Sequence, residues 1–507
     1  MNLLRTKSVE QSMSDTEDPD FQLKRNLTAL DLTVFGIGVI IGAGIFTLTG
    51  KAAQQYAGPS VVFSFVIAAV VCGLAAICYA EFASTVPVSG SAYTFSYATL
   101  GELVAWIIGW DLILELMLGA SVVAQGWSEY FVTFLDAIGL GWPSGLGPSA
   151  DPHFGHFNLA AFLLVAALTA LVAVGIKESL RVNLVLVGIK LFIVLFVIVA
   201  GLFYVKASNY SPFVPPAADP QDASGLTQPL FQWIFGFSAQ TYGVLGIVSA
   251  ASVVFFAYIG FDVVATTAEE ARHPQKDLPR GIIGSLVICT LLYVAVSLVI
   301  TGMVKYDQID PEAALASAFT SVGQKGFATL ISAGAVAGLT TVVMTLMIGA
   351  VRVLFAMSRD GLLPRAFAHV SPRTGTPVNI TLTIGALVAV VASLTPIGKL
   401  EEMVNIGTLT AFALVSLAVP VLRRTRPDLE RSFKVPFSPV LPVVAALFCV
   451  YLALNLSIET WLRFLVWMVL GFAIYFLYGY RHSRVGLGEG EPAVDYATHH
   501  RDGTPRG

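Results

Sequence analysis

Lys190 lies eight residues inside an apolar run, NLVLVGIKLFIVLFVIVAG, where an ammonium has no water to solvate it. Desolvation moves a lysine's proton affinity towards the working range, so a buried amine can gain and lose a proton. It can also serve as a fixed cation where a metal ion would otherwise sit, or simply snorkel or pair. Asp111 and Glu115, in GWDLILELMLG, are four apart and share one face of a helix. Such carboxylates hold a cationic group, carry a proton, or pair with a polar neighbour. Ionisable groups inside apolar segments cost about 2.5–3.5 kcal/mol each on insertion scales, so each one asks for a reason. A fourth, Asp262, follows Ile259-Gly260-Phe261 and either interrupts its run or caps the helix after it.

The stretch that would position this chemistry is FGIGVIIGAGIF, residues 35–46, with Gly36, Gly38, Gly42 and Gly44. Each glycine costs about 1 kcal/mol of helix propensity against Ala, so a continuous helix is poorly supported. A break at Gly42-Ala43-Gly44 would expose half-helix N–H groups, a positive dipole end suited to a carboxylate. The alternative is a glycine face for close helix packing. In lipid, a broken helix is tolerated only where protein or a water-filled cavity receives its free backbone groups.

These segments belong to a membrane chain. Of 507 residues, 56% are hydrophobic and only 12% charged, with mean hydropathy +0.76. Twelve apolar spans are expected, near 30–50, 60–83, 97–123, 158–176, 183–205, 247–268, 281–304, 327–356, 378–395, 402–423, 438–457 and 461–480. The third may run on amphipathically towards residue 135. Placing both termini inside assigns 22 of the 29 Lys and Arg residues to cytoplasmic segments, which fixes the orientation. Lys51, Lys206, Lys305, Lys325 and Lys399 fall outside; Lys190 and Arg463 fall within spans. The polar residues 1–25 read as a disordered cytoplasmic tail rather than a signal peptide, and 483–507 as a second tail. Glu81, Glu269, Glu270 and the run Arg272–Arg280 are candidates for an inner gate of ion pairs, or a solvated loop.

The first and sixth spans, five apart, are both interrupted near the middle, which points to two five-span repeats of opposite orientation. Residues 26–206 form the first repeat, 207–424 the second with its preceding outer loop, and 425–482 two extra spans. Cys72, Cys78, Cys289 and Cys449 all lie in apolar runs and read as buried small hydrophobes. No HExxH, CxxC, P-loop or Ser/His/Asp cluster appears, so no catalytic residue, metal site or nucleic-acid partner is expected.

The motifs GIGVIIGAGIFTLTG, YAEFASTVPVSGSAYTFSY, GELVAWIIGWDLILE, FFAYIGFDVVATTAEEARHPQKDLPRGI and VRVLFAMSRDGLLP carry a resemblance. The chain resembles the amino acid–polyamine–organocation permease superfamily, close to the cationic amino acid transporter branch, and its twelve spans match the shorter bacterial type. The resemblance implies an all-α integral membrane protein with the LeuT-like 5+5 inverted repeat, broken helices 1 and 6, and two extra helices. It implies an amino acid substrate whose carboxylate meets Ala43, Gly44 and Ile45, with Ile40 nearby. The substrate's ammonium would meet carbonyls of Phe256, Ala257 and Ile259 under an aromatic lid, Phe261. Lys190, beside Gly42, matches the lysine of proton-coupled members, so a proton and no sodium is expected as coupling ion. Glu115 matches an acid position able to receive a basic side chain. Thr341, Met344 and Thr345 would line the side-chain pocket, where a methionine favours substrates smaller than arginine. The implied activity is proton-coupled amino acid symport across a bacterial plasma membrane, against exchange without protons or amino acid sensing. Any small membrane partner stays open.

Overall fold

The computed structural model describes Arg5 and residues 27–85, 91–143, 145–148, 157–175, 180–218, 225–237, 240–371 and 374–487. Apart from Arg5, the expected N-terminal tail lies outside the described residues, as does most of the C-terminal one. Among the described residues the regular structure is helical, with only isolated β-bridges. Eight helical stretches are long and apolar enough to cross a bilayer. Four shorter apolar helices, Ala29–Ile40, Leu159–Val174, Val378–Leu394 and Val440–Leu454, fall where four further spans were expected.

Helix α1 (Ala29–Ile40) starts at a capping box, Thr28 accepting from the Asp31 N–H and Asp31 from the Thr28 N–H. It stops at Ile41-Gly42. The chain then re-enters helix as a π-turn, Gly44–Leu48, and continues helical to Ala57 before turning at Gly58 (φ +60°) into α2 (Val61–Thr85). Only glycine adopts that φ without strain. The first span therefore runs further than residue 50, and its second half joins α2 with hardly a loop between them.

The expected third span divides. A short helix α3 (Ser91–Thr99) ends before Gly101 (φ +96°), and α4 runs unbroken over Glu102–Ala137. The helix does run past residue 135, but not amphipathically: residues 119–130 are buried on all sides rather than along one face. Helices α5 (Leu159–Val174) and α6 (Leu180–Leu202) follow, α5 capped by the Asn158 side chain and closed by Gly175 (φ +86°). Helix α7 (Gly243–Val254) tightens into a 3₁₀ turn at Phe255–Tyr258, breaks at Ile259–Phe261, and resumes over Asp262–Glu270. Both expected interruptions are present.

The remaining helices are α8 (Pro274–Met303), α9 (Ala314–Ser321), α10 (Lys325–Arg359), α11 (Val378–Leu394), α12 (Ile397–Thr425), α13 (Val440–Leu454) and α14 (Ile458–Ile474). The sequence reading begins this span at residue 281 and leaves Arg272–Arg280 as an inner gate or a solvated loop, but residues 274–280 form the first two turns of α8, where Pro274 occupies the first turn without losing a bond. Helix α9 was not expected.

Ion pairs tie the bundle at both ends. Glu81, 1% exposed at the end of α2, takes a bidentate fork from Arg423 of α12 (2.9 and 2.6 Å) and the Val435 N–H (2.6 Å). At the other end Lys51 meets Glu401 at 2.6 Å, joining the first span to the start of α12. Arg431, 6% exposed, also lies 3.7 Å from Glu81, so this acid answers two cations. Arg423→Met leaves Glu81 with Arg431 and is expected to cost about 1–3 kcal/mol, read as a lower Tm of the purified protein. Glu81→Leu strands both arginines and should cost more; equal loss in the two variants would show that Glu81 is not what holds the cations.

Candidate functional site

The two breaks touch. A Cβ built on Gly44 would sit 2.4 Å from the Ala257 Cα, and one on Gly260 (φ +115°) would sit 2.7 Å from Val39 Cγ1. The π-turn thus packs on the backbone of the 3₁₀ turn, and the interruption of α7 on Val39 of α1, close approaches that glycine allows. The N–H groups of Ala43, Gly44 and Ile45 begin a half-helix, so they have no carbonyl one turn earlier to bind. None of the three finds a partner outside its own helix among the described residues.

Side chains around the breaks bind backbone carbonyls. In the π-turn Thr49 donates to Ile45 (3.1 Å) and Tyr130 of α4 to Phe46 (2.6 Å), and Tyr258, just before the second break, donates to Phe65 of α2 (2.9 Å). The Tyr293 hydroxyl of α8 lies 2.7 Å from both the Ile40 and Ala257 carbonyls, one from each break. Phe256 O accepts the Ile259 N–H at 3.1 Å, closing the turn before the second break. Two of the carbonyls expected to face a substrate ammonium are thus already held inside the protein, at Ala257 by Tyr293. Asp262 accepts the Gly260 N–H at 3.3 Å across the break. Tyr293, a lone phenol in an apolar helix, escaped sequence reasoning. Its signal was only a polar tip that a buried span must satisfy. Tyr293→Phe leaves two carbonyls competing for no donor, and unsatisfied buried groups cost about 1–3 kcal/mol. We expect at least a tenfold lower uptake rate with folded protein still recovered; an unchanged rate would remove the bridge from the working cycle.

Lys190 is 1% exposed and donates to the Gly38 carbonyl at 2.6 Å, the last turn of α1 before the break. A Cβ on Gly338 of α10 would reach Lys190 Cγ at 2.7 Å, so this glycine makes the channel through which the lysine stem passes. The carbonyl it meets precedes Gly42 by one turn, a small shift from the expected neighbour.

Asp111 and Glu115 of α4 are fully buried; Asp111 has no hydrogen-bond partner among the described residues, and Glu115 has the Thr408 hydroxyl of α12 beside it. Glu115 is close enough to Asp262 and Asp111 for their charges to interact. Three buried acids on α4 and the second break mark a place where a cation or a proton is stabilising. Phe261 is wholly buried and packs edge-on against Tyr79 (5.8 Å) and tilted against Phe412 (4.9 Å), an aromatic block between α2 and α12. On α10, the Thr341 and Thr345 hydroxyls donate to their own helix at Gly338 and Thr341 (2.8 Å each), with half-buried Met344 between them. The structure therefore gathers the first-break, second-break and Lys190 residues around one point. The Glu269 and Glu270 side chains lie outside the described residues, and Glu81 serves the α2–α12 tie.

Among the described residues, two interrupted helices touch and a buried lysine of α6 donates to the first of them. The model of the family described as amino acid permease matches residues 27–476, and the chain belongs to that family. It is 48% identical to the branched-chain amino acid permease BcaP of Bacillus subtilis over 490 residues, 96% of this chain and 99% of that one. It is 43% identical to the methylthioribose transporter of the same organism (95% and 99% covered). It is also 37% identical to human cationic amino acid transporter 4 (83% and 62% covered). The protein is a multi-pass membrane amino acid permease and not an enzyme.

Proposed function

We propose that the protein is a proton-coupled symporter carrying an L-amino acid by alternating access through the plasma membrane. Twelve transmembrane helices would be arranged as a LeuT-like 5+5 inverted repeat plus two, with both termini cytoplasmic. The breaks in two spans that stand five apart support the repeat, and the distribution of Lys and Arg supports the orientation. The observation that carries the coupling is the Lys190 ammonium on the Gly38 carbonyl. There a fixed positive charge occupies the neighbourhood of the first break, so no sodium is needed. Loss of its proton would remove the charge assistance from that bond, weaken its hold on the carbonyl and free α1 to move.

The substrate carboxylate would lie on the N–H groups of Ala43, Gly44 and Ile45. Its ammonium would lie beside the second break, displacing or joining Tyr293 at Ala257. Around the side chain, Thr341 and Thr345 turn their hydroxyls onto their own helix and present methyls, and Met344 adds a thioether. That lining, together with a near relative named for branched-chain amino acids, favours an aliphatic substrate over arginine. Uptake of labelled leucine into liposomes holding the purified protein, competed by unlabelled isoleucine, alanine, arginine and methylthioribose, tests it. Block by isoleucine and not by arginine is the expected result; block by arginine or methylthioribose alone would overturn the substrate assignment while leaving transport itself in place.

A further inference from the structure

At the basic end of the bundle an open groove of about 520 Å³ lies between the first turns of α8 and the segment after α12. Lys276, Arg280 and Ser432 line its rim, and Pro279, Ile283 and Phe433 its floor. Lys276 and Arg280 are four apart on α8 and point from one face. Both are exposed, and neither pairs with a carboxylate among the described residues. The nearest acid in sequence, Asp277, is buried and already accepts the His273 N–H at 3.1 Å. The Ser432 hydroxyl donates to Gln275 at 3.1 Å, so the loop is fixed over the helix and the groove has two walls.

Along α8 the same face continues apolar. Val287 is 53% and Leu291 66% exposed, one and two turns beyond Ile283. A soluble protein would not leave such a stripe bare; in a membrane helix it is the face that meets acyl chains. Two unneutralised cations at the water interface, an apolar floor and a lipid-facing stripe rising from it match one ligand in charge and in shape.

We propose that this groove binds the headgroup of an anionic phospholipid of the inner leaflet. Its phosphate lies between Lys276 and Arg280 and an acyl chain lies along Ile283, Val287 and Leu291. The groove runs beside the seam where Gly281 and Gly284 of α8 pack on Leu32 and Thr33 of α1, so the lipid stands next to the half-helix that carries Lys190's partner. The site rests on the basic end facing the cytoplasm and does not depend on the transported substrate.

Native mass spectrometry of the detergent-purified full chain tests it. Phosphatidylglycerol and phosphatidylcholine of equal chain length are titrated, with and without inorganic phosphate in excess. Each basic residue near a membrane surface contributes about 1 kcal/mol, so K276Q/R280Q should weaken phosphatidylglycerol binding by about thirtyfold. Phosphatidylcholine binding should be unmoved, as should either lipid with R424Q, an exposed arginine elsewhere at the same end. The charge-conserving K276R/R280K should restore binding, which separates a lost site from a damaged fold. Equal phosphatidylglycerol affinity in wild type and K276Q/R280Q, or displacement of the lipid by the excess inorganic phosphate, would overturn the proposal. The readout is binding, so a failure of the symport reading would leave it standing.

Discussion

Lys190→Ala is expected to transport substrate down its own gradient yet fail to accumulate it when an inward proton gradient is imposed. Lys190 is buried at 1% exposure and its Nζ donates to Gly38 O at 2.6 Å, in the last turn before the helix breaks. A charge-assisted bond of this kind is worth about 1.5–3 kcal/mol, and it exists only while the amine is protonated. Protonation therefore favours the arrangement in which α1 is held against α6 and α10, and deprotonation removes that preference. A bias of about 2 kcal/mol shifts a two-state equilibrium about thirtyfold, enough to tie a proton to each cycle. Alanine removes the group that distinguishes the two states. Gradient-driven accumulation should fall at least tenfold, while counterflow, which needs no net proton movement, persists. Accumulation that still follows the proton gradient in Lys190→Ala would place coupling on another group, and Glu115 and Asp262 would be the next to test.

Gly44→Ala should cripple transport with a single added methyl. The added Cβ would stand 2.4 Å from both Cα and Cβ of Ala257. One of these is backbone, so no rotamer change relieves the clash. Overpacking in a core costs about 1–3 kcal/mol and sometimes more. Here the cost falls on the contact between the two breaks, where the carboxylate-binding N–H groups start. Transport should drop at least a hundredfold, with a lower Tm. The control is Gly73→Ala in α2, whose Cβ would meet only Leu286 Cδ2 at 3.8 Å. That substitution improves helix propensity and should leave uptake unchanged. Near-normal uptake by Gly44→Ala would mean that the breaks separate during the working cycle further than this packing implies.

Much of this was legible in the sequence, and the reasons are physical. Four glycines in eleven apolar residues announced the first break, and Ile259-Gly260-Phe261-Asp262 the second, because bilayer spans otherwise run unbroken. The lysine in an apolar run announced itself by its cost. Helix ends were less readable. The first span ran on through a π-turn to Ala57, and α8 began at Pro274, because charged first turns at a membrane surface look like loop. The partners of the breaks were not readable at all. Tyr293, Tyr130 and Thr49 satisfy carbonyls 253, 84 and 4 residues away, respectively. Only packing brings most of these groups together, and no local pattern encodes it. The same holds for Lys51–Glu401 and Glu81–Arg423, whose members stand 350 and 342 residues apart.

The proposed symport brings a proton in with each amino acid. Liposomes holding the wild-type protein and a trapped pH-sensitive dye, with no imposed pH gradient and the membrane potential clamped, test this directly when leucine is added outside. The interior should acidify in step with leucine entry, and its pH should stay flat without leucine and in Lys190→Ala. Leucine entry with a flat dye signal in wild type would contradict it, and would leave an amino acid carrier that moves its substrate without protons.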